Sequence, residues 1–322
     1  MITIVTGAAG FIGSHVCDRL LLRGDRVVGV DNLNDYYDPE RKKRNLQEIS
    51  DGASDPSKFE FVREDLRNEK AMHALVERVR PDSIVHLGAM AGVRASIDDP
   101  ELYIDVNLKG TMHLLEAARR YGNPRIVFAS TSSVYGPTET IPFVETDAAD
   151  RPLAPYPASK RAAELLGYSY HHLYGLDFTA LRFFTVYGPR GRPDMMAYKV
   201  LDNIFRGADV PLYNDGDMHR DWTYVDDIVS GIEAATERSL GFEQINLGRG
   251  EPTRLGEFVQ LIESLAGKPA TLRPAPMPAA DISYTFANID KAKRLLDYNP
   301  TTSVEQGVRR FWHWYQAEVL ER

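Results

Sequence analysis

The sequence predicts an α/β protein built on a doubly wound parallel sheet, followed by a smaller C-terminal domain. Two observations lead to this prediction. In the first half of the chain, short β-branched or aromatic runs alternate with amphipathic stretches, as they do where helices cover both faces of a parallel sheet. After about residue 183, proline and glycine become frequent and the apolar alternation becomes irregular, which favours a loop-rich region.

Each element follows from its own pattern. Short apolar runs between glycine, proline or charged residues predict strands; these span residues 2–6, 26–30, 59–63, 83–87, 125–130 and 178–183. Amphipathic periodicity predicts the helices between them, over residues 11–23, 40–49, 68–80, 100–121 and 157–174. Right-handed crossovers between such strands produce the doubly wound sheet. Residues 244–247 are a candidate strand that returns to this sheet, and residues 304–320 have the pattern of an amphipathic helix.

The composition argues against several classes of protein. Among the 322 residues, 38 basic side chains stand against 46 acidic ones, a net charge of −8, so nucleic-acid binding through clustered phosphate contacts is not expected. The single cysteine, Cys17, excludes an internal disulfide or a cysteine-cluster metal site and is interpreted as a core residue. No segment approaches the ~20 apolar residues of a membrane span, and none resembles a signal peptide. We therefore expect a cytoplasmic protein with no metal and no membrane partner.

The turn after the first predicted strand carries the pattern Gly-x-x-Gly-x-x-Gly, with Gly7, Gly10 and Gly13. Such glycines allow a tight turn, a close approach of the backbone to a pyrophosphate, and close packing of helix on strand. Free N–H groups at the start of the following helix favour phosphate binding there. The loop therefore predicts a dinucleotide site at the start of a Rossmann-type domain.

Two acidic residues end neighbouring strands. Asp31 can accept hydrogen bonds from both hydroxyls of an adenosine ribose and would repel a 2′-phosphate, which favours NAD over NADP. The alternative is that Asp31 only caps a helix or a turn. Asp65 follows the third strand and is expected near the adenine, although it could equally be the N-cap of the next helix.

A tyrosine and a lysine four residues apart, Tyr156 and Lys160, share one face of a predicted helix. An ammonium beside a phenol favours the phenolate and lowers the phenol pKa, which suits a general base that takes a proton from a sugar hydroxyl. Thr131, at the carboxyl end of a central strand, can bond the same hydroxyl. The alternative for the Ser/Thr run at 130–133 is a capped turn.

These motifs resemble those of extended short-chain dehydrogenase/reductases, in the nucleotide-sugar epimerase and dehydratase group. The resemblance covers nearly the whole chain in family order; its segments are TGAAGFIG, Asp31, Asp65, HLGAMAGVR, Asn107, STSSVYG, YPASK, RFFTVYGPRGRPD and RDWTYVDDIV. It implies that Thr131, Tyr156 and Lys160 are catalytic. It also implies a set of NAD-binding residues: Gly7, Gly10, Phe11, Ile12, Gly13, Asp31, Asn32, Asp65, Leu66, Leu87, Ala89, Asn107, Tyr156 and Lys160.

The resemblance also implies how the chain divides and where substrate binds. Residues 1–183 would hold NAD, with a return segment near 221–248, and residues 184–322 would mainly hold a UDP-sugar. Arg220 would meet the diphosphate and Asp281 the distal nucleoside, the alternative being a surface salt bridge. The segment HLGAMAGVR departs from similar proteins, which commonly have Ala in place of Gly88 and Gln in place of Met90.

Three features narrow the expected substrate. Ser132 and Ser133 stand where similar sugar dehydratases have the Asp-Glu pair that eliminates water, and Thr185 stands where galactose- and glucose-type epimerases usually have Asn. The stretch RFFTVYGPRGRPDM resembles that of UDP-glucuronate 4-epimerases. Its Arg192 offers a planar fork for a sugar carboxylate, with Ser132, Ser133 and Thr185 as neutral donors. The alternative is that Arg192 only pairs with Asp194.

The expected reaction is interconversion of UDP-glucuronate and UDP-galacturonate through a transient 4-keto sugar, with Tyr156 as base and acid. The alternatives are a UDP-glucuronate decarboxylase, a neutral UDP-hexose 4-epimerase, and a non-catalytic dinucleotide-sensing scaffold.

A homodimer is also implied by the resemblance. It would pair the helices predicted at 100–121 and 157–174. Candidate outward-facing apolar residues are Leu114, Leu115, Leu165 and Leu166, although some of these must face the sheet instead.

Overall fold

The computed structural model describes residues 1–320 and contains a central sheet of seven parallel strands. The strands in chain order are β1 (Ile2–Thr6), β2 (Arg26–Asp31), β3 (Phe59–Arg63), β4 (Ser83–His86), β5 (Arg125–Thr131), β6 (Phe178–Phe183), β7 (Thr185–Tyr187), β8 (Asp209–Tyr213), β9 (His219–Arg220), β10 (Trp222–Tyr224), β11 (Phe242–Leu247), β12 (Thr253–Arg254), β13 (Thr271–Ala275) and β14 (Tyr284–Thr285). The central sheet has the order β11-β6-β5-β4-β1-β2-β3. The doubly wound fold predicted from the sequence is therefore confirmed.

The described chain contains twelve α-helices, ten of them between strands and the last two after β14. They are α1 (Phe11–Arg23), α2 (Pro39–Gly52), α3 (Glu69–Val79), α4 (Ala95–Asp98), α5 (Pro100–Tyr103), α6 (Gly110–Arg120), α7 (Pro155–Tyr174), α8 (Met196–Arg206), α9 (Val225–Glu237), α10 (Leu255–Ala266), α11 (Asp290–Leu296) and α12 (Val304–Tyr315). Helices α3, α6 and α7 cover one face of the sheet, and α1 and α9 cover the other.

Both faces of the sheet are buried, which explains why its strands are continuous apolar runs. On β1, Ile4 packs into the core beneath α3 and α6, whereas Val5 packs into the core beneath α1 and α9. Ile84 and Val85 on β4 divide in the same way. The alternation arises because successive side chains of a strand point to opposite faces.

The segment after β6 forms a second lobe and then rejoins the sheet. Strand β7 pairs in parallel with β10, β9 pairs with β12 and β14, and β8 pairs with β13. The indole ring of Trp222 stacks on the ring of Phe258 with 3.9 Å between centroids, at the centre of this lobe. Strand β11 then pairs with β6 in parallel, so residues 244–247 do lie in the main sheet, as the sequence suggested.

Helix prediction was less exact than strand prediction. The helix predicted over 100–121 consists of α5, a π-helical turn at Ile104–Lys109, and α6. Leu114 and Leu115, two candidates for an outward-facing surface, are buried against the sheet at 1% exposure, whereas Leu165 on α7 is 53% exposed. Leu114 and Leu115 are therefore the candidates that face the sheet, in the core beneath α3.

Cys17 is fully buried in α1, as expected for a core residue. Within residues 1–320, no helix has the length and apolar character needed to cross a bilayer. Over the same range, no group of three or more His, Cys, Asp or Glu side chains is arranged to hold a metal ion.

Candidate active site

A cavity of about 510 Å³ opens at the carboxyl ends of β1, β2, β4 and β5, where ligands of open parallel sheets bind. It brings together almost all of the residues predicted to bind a dinucleotide. Those in its wall are Gly7, Gly10, Phe11, Ile12, Gly13, Asp31, Asn32, Asp65, Leu66, Leu87, Ala89, Tyr156 and Lys160. Of the predicted set, Asn107 lies outside the wall.

The glycine loop joins β1 to α1 at one end of this cavity. Gly7 has φ +71°, and a Cβ on Gly13 would lie 2.0 Å from the Gly7 carbonyl oxygen, so only glycine permits this packing. Helix α1 begins at Phe11 without a side-chain cap, which leaves its first N–H groups directed to the cavity. The bare backbone and the free donors fit the pyrophosphate of a dinucleotide.

Asp31 closes the cavity at the end of β2. Its carboxylate accepts backbone N–H bonds from Leu33 at 2.8 Å and Ala9 at 3.3 Å. Burial raises its pKa, and the nearby Lys42 ammonium opposes that shift. Lys42 also lines the cavity, and its Nζ donates to the Asn34 carbonyl at 2.9 Å, a contribution that the sequence patterns did not reveal.

Asp65 forms a fixed polar corner beside Asp31. Arg67 donates to both of its oxygens, at 3.0 and 2.9 Å, and Asn32 donates to Oδ2 at 2.9 Å. The Arg67 hydrogen bonds lower the Asp65 pKa to about 2. The N-cap of α3 is Asn68, so the alternative interpretation of Asp65 as that cap is wrong.

Asn107 lies behind the cavity wall rather than in it. From the π-helical turn, its Oδ1 accepts the Met90 N–H at 2.8 Å, and its Nδ2 donates to the Met90 carbonyl at 2.9 Å and to Ser159 Oγ at 3.0 Å. This side chain therefore fixes the loop at residues 87–91 against α7 from beneath the site, and its part in binding the cofactor stays a prediction.

A directed chain of hydrogen bonds supports the same loop from below. Thr111 donates to the Asn107 carbonyl, so its oxygen must accept from His86 Nε2, 2.9 Å away. His86 Nδ1 then accepts from the Thr6 hydroxyl at 2.7 Å, and Thr6 Oγ1 accepts the Gly88 N–H at 3.0 Å. Burial lowers the His86 pKa to about 3, so the imidazole is neutral and protonated on Nε2.

Tyr156 and Lys160 lie one turn apart at the start of α7 and both line the cavity. Burial raises the Tyr156 pKa, while the Arg192 guanidinium and a hydrogen bond with Thr131 lower it. Burial lowers the Lys160 pKa to about 7, against the raising effect of Glu164. The lowered phenol pKa expected from the Tyr–Lys pair alone is thus wrong for the ligand-free protein, because burial outweighs the nearby charges.

A buried ionic network beneath Lys160 escaped the sequence analysis. Glu164, fully buried on α7, accepts two hydrogen bonds from Arg182 of β6, at 3.0 and 2.8 Å. It also accepts hydrogen bonds from Ser130 at 2.5 Å and from Arg161 at 2.9 Å. The sequence did contain one signal for this network, because Lys160 and Glu164 are four residues apart and share one face of α7. The pairing of Glu164 with Arg182 on β6 depends on the tertiary fold and could not be predicted from spacing.

The Ser/Thr run after β5 is a capped turn that also faces Tyr156. Thr131 Oγ1 accepts the Ser133 N–H at 3.2 Å and caps a 3-10 turn over Ser132–Tyr135. The capped-turn alternative is therefore correct in its geometry. It does not exclude the predicted role, since the Thr131 side chain is near enough to Tyr156 to lower the pKa of its phenol.

Arg192 reaches the cavity wall beside Tyr156, but its fork is already engaged. Its Nε and Nη2 donate to Asp194 Oδ1 and Oδ2 at 2.9 and 2.7 Å. The Arg192–Asp194 pair of the alternative is therefore present, and it engages one edge of the guanidinium. The expected role of Arg192 toward a sugar carboxylate stays a prediction. Thr185 begins β7, outside the residues that form this cavity.

Arg220 and Asp281 meet in a separate cluster of the second lobe. Arg94 Nη2 donates to Asp281 Oδ2 at 2.9 Å, and Arg220 Nη2 lies 4.0 Å from the same oxygen. Arg94 also donates to the Tyr213 hydroxyl at 2.9 Å. The hydrogen-bonded partner of Asp281 is therefore Arg94, which the sequence analysis missed, and Arg220 lies at the edge of this pair. The roles expected of Arg220 and Asp281 toward a nucleotide stay predictions.

Comparison with known proteins identifies the family. Residues 4–311 match the family model described as GDP-mannose 4,6 dehydratase. A UDP-glucuronate 4-epimerase of Thermodesulfobacterium geofontis is 42% identical over 317 residues, covering 98% of this chain and 96% of the relative. A probable UDP-glucuronate 4-epimerase of Rhizobium meliloti is 41% identical, covering 97% of this chain and 96% of the relative.

Solved structures agree with this relationship. The UDP-glucuronic acid 4-epimerase of Bacillus cereus, in complex with UDP-glucuronic acid and NAD, aligns with a TM-score of 0.91 and 34% identity, covering 98% of this chain and 99% of that chain. The UDP-glucose 4-epimerase of Thermotoga maritima, with UDP-glucose, aligns with a TM-score of 0.89 and 30% identity over 98% of this chain and 99% of that chain. The chain therefore belongs to the GDP-mannose 4,6-dehydratase family of extended short-chain dehydrogenase/reductases, whose members include UDP-glucuronate 4-epimerases.

Proposed function

We propose that this chain is an NAD-dependent UDP-glucuronate 4-epimerase, an isomerase that interconverts UDP-glucuronate and UDP-galacturonate. One observation carries the proposal: a guanidinium, that of Arg192, lies beside the phenol of Tyr156 in the wall of a cavity that also holds the glycine loop and Asp31. A cation next to the proposed base suits a sugar that bears a carboxylate next to the reacting carbon. Named relatives and solved structures support the same substrate and cofactor.

The protein's own groups would act on the sugar 4-hydroxyl. Bound NAD would supply the acceptor for the hydride at C4 and return it to the opposite face. Tyr156, as phenolate, would take the hydroxyl proton and later restore it, while Thr131 aligns that hydroxyl. Lys160, held above the Glu164 network, would bond the nicotinamide ribose.

The oxidised sugar would be a β-keto acid, which loses carbon dioxide readily. An epimerase must therefore keep the carboxylate where its breaking bond is out of line with the ketone. We propose Arg192, Thr185, Ser132 and Ser133 for this restraint. A decarboxylase would oxidise the sugar in the same way but release a UDP-pentose, and a neutral hexose epimerase would have no use for Arg192.

We further propose that the second lobe holds the nucleotide, with Arg220 toward the diphosphate and Asp281 toward the nucleoside. In this structure the Asp281 carboxylate accepts a hydrogen bond from Arg94. Binding would therefore redistribute the partners of this carboxylate. The division into an NAD lobe at 1–183 and a UDP-sugar lobe from 184, the cytoplasmic location and the lack of nucleic-acid partners stay predictions.

We also propose a homodimer formed through α6 and α7, which pack side by side on one face of the sheet. Their outer side carries exposed apolar residues: Ile104 in the π turn, Met112, Leu165 and Tyr168. A second copy of the same surface would bury them in a symmetric interface.

The experiment that tests the activity is proton NMR of the purified protein with UDP-glucuronate and no added cofactor. Growth of UDP-galacturonate signals is expected, because NAD regenerated at each turnover stays bound. The Tyr156→Phe variant should lose turnover. Formation of a UDP-pentose would favour the decarboxylase, conversion of UDP-galactose alone would favour the neutral epimerase, and unchanged cellular function of the Phe variant would favour the sensing scaffold.

A further inference from the structure

The guanidinium of Arg192 has two edges, and only one of them is in use. The side edge, formed by Nε and Nη2, is occupied by Asp194 in a two-pronged pair at 2.9 and 2.7 Å. Among residues 1–320, no side chain or carbonyl accepts a hydrogen bond from Nη1. Since arginine carries five N–H donors in one plane, the end edge remains available to a second carboxylate.

Asp194 is itself held in place by Tyr36. The Tyr36 hydroxyl donates to Asp194 Oδ2 at 3.2 Å, and the Arg192 guanidinium lies 5.6 Å from the centre of the Tyr36 ring. Tyr36 reaches this position because Gly92, with φ +120°, has no side chain; a Cβ there would lie 2.7 Å from the Tyr36 hydroxyl. The guanidinium is thus fixed in its plane by a carboxylate and on its face by a ring.

We propose that Asp194, supported by Tyr36, is a positioning residue that fixes Arg192 with its end edge toward the sugar carboxylate. The inference rests on the proposed function and assigns Asp194 a part in it. A fixed guanidinium fixes the rotation of the carboxylate it binds, and so the angle between the C5–C6 bond and the C4 ketone.

That angle decides between two products. In decarboxylation the C5–C6 bond breaks, carbon dioxide leaves, and the bonding electron pair moves through C5 to the C4 oxygen as an enolate, which takes a proton at C5 to give a UDP-4-keto-pentose. Return to C4 of the hydride removed in the oxidation would then convert this ketone to a UDP-pentose. The reaction requires the C5–C6 bond to lie parallel to the ketone π orbitals. A mobile Arg192 would permit this alignment, whereas the clamped Arg192 would prevent it.

The test compares Asp194→Asn with wild type and a matched control, each purified with its bound cofactor. The control is Asp18→Asn, which removes one of the two ion pairs of the neighbouring Arg190 outside the cavity; Arg190 Nη1 lies 2.6 Å from Asp18 Oδ2, and its Nε lies 2.8 Å from Glu48 Oε2. Turnover and product identity are followed by proton NMR and steady-state kinetics with UDP-glucuronate. Cofactor content and circular dichroism report on folding.

In Asp194→Asn we expect kcat for epimerisation to fall about tenfold, since small losses of alignment are costly in rate. KM should stay the same or fall, because a competing negative charge is removed, and the UDP-pentose share of product should rise. The Asp18→Asn control should match wild type in its steady-state kinetics and in its product ratio. Tyr36→Phe keeps the ion pair and removes one hydrogen bond. It should therefore lower kcat and raise the UDP-pentose share, as Asp194→Asn does, by about two- to fivefold.

The outcomes separate the inference from the function on which it rests. An unchanged product ratio in a folded Asp194→Asn protein would overturn the positioning role, even with wild type active. If that variant fails to fold, an unchanged product ratio in Tyr36→Phe overturns the role in the same way. A wild-type protein that leaves UDP-glucuronate unconverted would overturn both the inference and the proposed function.

Discussion

His86 shows how a single buried side chain ties the stability of the site to pH. Its imidazole lies between the hydroxyls of Thr6 and Thr111 at the carboxyl end of β4. Burial lowers its pKa from 6.5 to about 3. A second imidazole, that of the half-buried His15, has its pKa lowered by desolvation to about 4 and bonds the Pro189 carbonyl at 3.0 Å.

The pH dependence of stability follows from these shifts. Between about pH 6.5 and 3, the unfolded chain binds a proton at position 86 that the folded chain excludes, so the free energy of unfolding falls as the pH falls. Each such proton contributes about 1.4 kcal/mol per pH unit. His86→Gln should therefore flatten the slope by about that amount, measured by urea unfolding at several pH values between 4 and 6.5.

The exposed His172 provides the control for this prediction, and His172→Gln should leave the slope as in wild type. The slope is the relevant quantity because the glutamine also changes two hydrogen bonds at every pH. A His86→Gln protein with the full wild-type slope would show that this imidazole does not stay neutral in the folded state.

Local motifs identified most of the residues that line the cofactor end of the cavity. The residues that they did not identify are held by partners distant in the sequence. The glycine loop and Asp31 act through neighbouring backbone, so their roles are visible in a few consecutive residues. Glu164 is different, because its partner Arg182 belongs to a strand on the far side of a turn. The Arg192–Asp194 pair was open to prediction, but its two residues fit either interpretation until the cavity was located.

At the scale of elements, the junction of β1, the glycine loop and α1 is the tightest part of the cofactor site. A Cβ on Gly13 would lie 2.0 Å from the Gly7 carbonyl oxygen, which is backbone and cannot rotate away. Helix α1 would have to move off the sheet, and the free N–H groups at its start would leave the cavity.

We therefore expect Gly13→Ala to lower the free energy of unfolding by at least about 3 kcal/mol and to remove bound NAD. Gly52, at the end of α2, has open space around its Cβ position and is the matched control. Gly52→Ala should keep NAD and gain up to about 1 kcal/mol. Cofactor content by absorbance and unfolding by urea measure both effects, and a Gly13→Ala protein that retained NAD would show that the loop can relax.

Some elements of secondary structure could be predicted from the sequence pattern and others could not. The seven strands of the central sheet were predicted within one or two residues, because a sheet buried on both faces requires continuous apolar runs. The strands of the second lobe were not predicted, since they are two to five residues long and lie in a region of irregular pattern. The π-helical turn at Ile104–Lys109 was also missed; within it, Asn107 bonds Met90 and Ser159, which belong to distant segments.

For the whole molecule, the exposed apolar surface of α6 and α7 predicts self-association. Leu165→Glu places a charge at a residue that is 53% exposed in the single chain and would be buried in the pair. We expect this variant to sediment as a monomer at micromolar concentration, where wild type is a dimer. Leu22→Glu, at an 80% exposed residue of α1 on the opposite face of the sheet, should remain dimeric. A monomeric wild type would contradict the proposed interface.

The return of β11 to the edge of the sheet has a consequence for synthesis of the chain. Strand β6 ends at Phe183, and its partner β11 ends at Leu247. At ribosomal rates of ~5–20 residues per second, the second strand follows the first by about 3–13 s. During that interval β6 presents an unpaired edge, and unpaired edges of apolar strands readily join those of other chains. The nascent chain is therefore most exposed to aggregation after its nucleotide-binding half has been made, while the second lobe is still emerging.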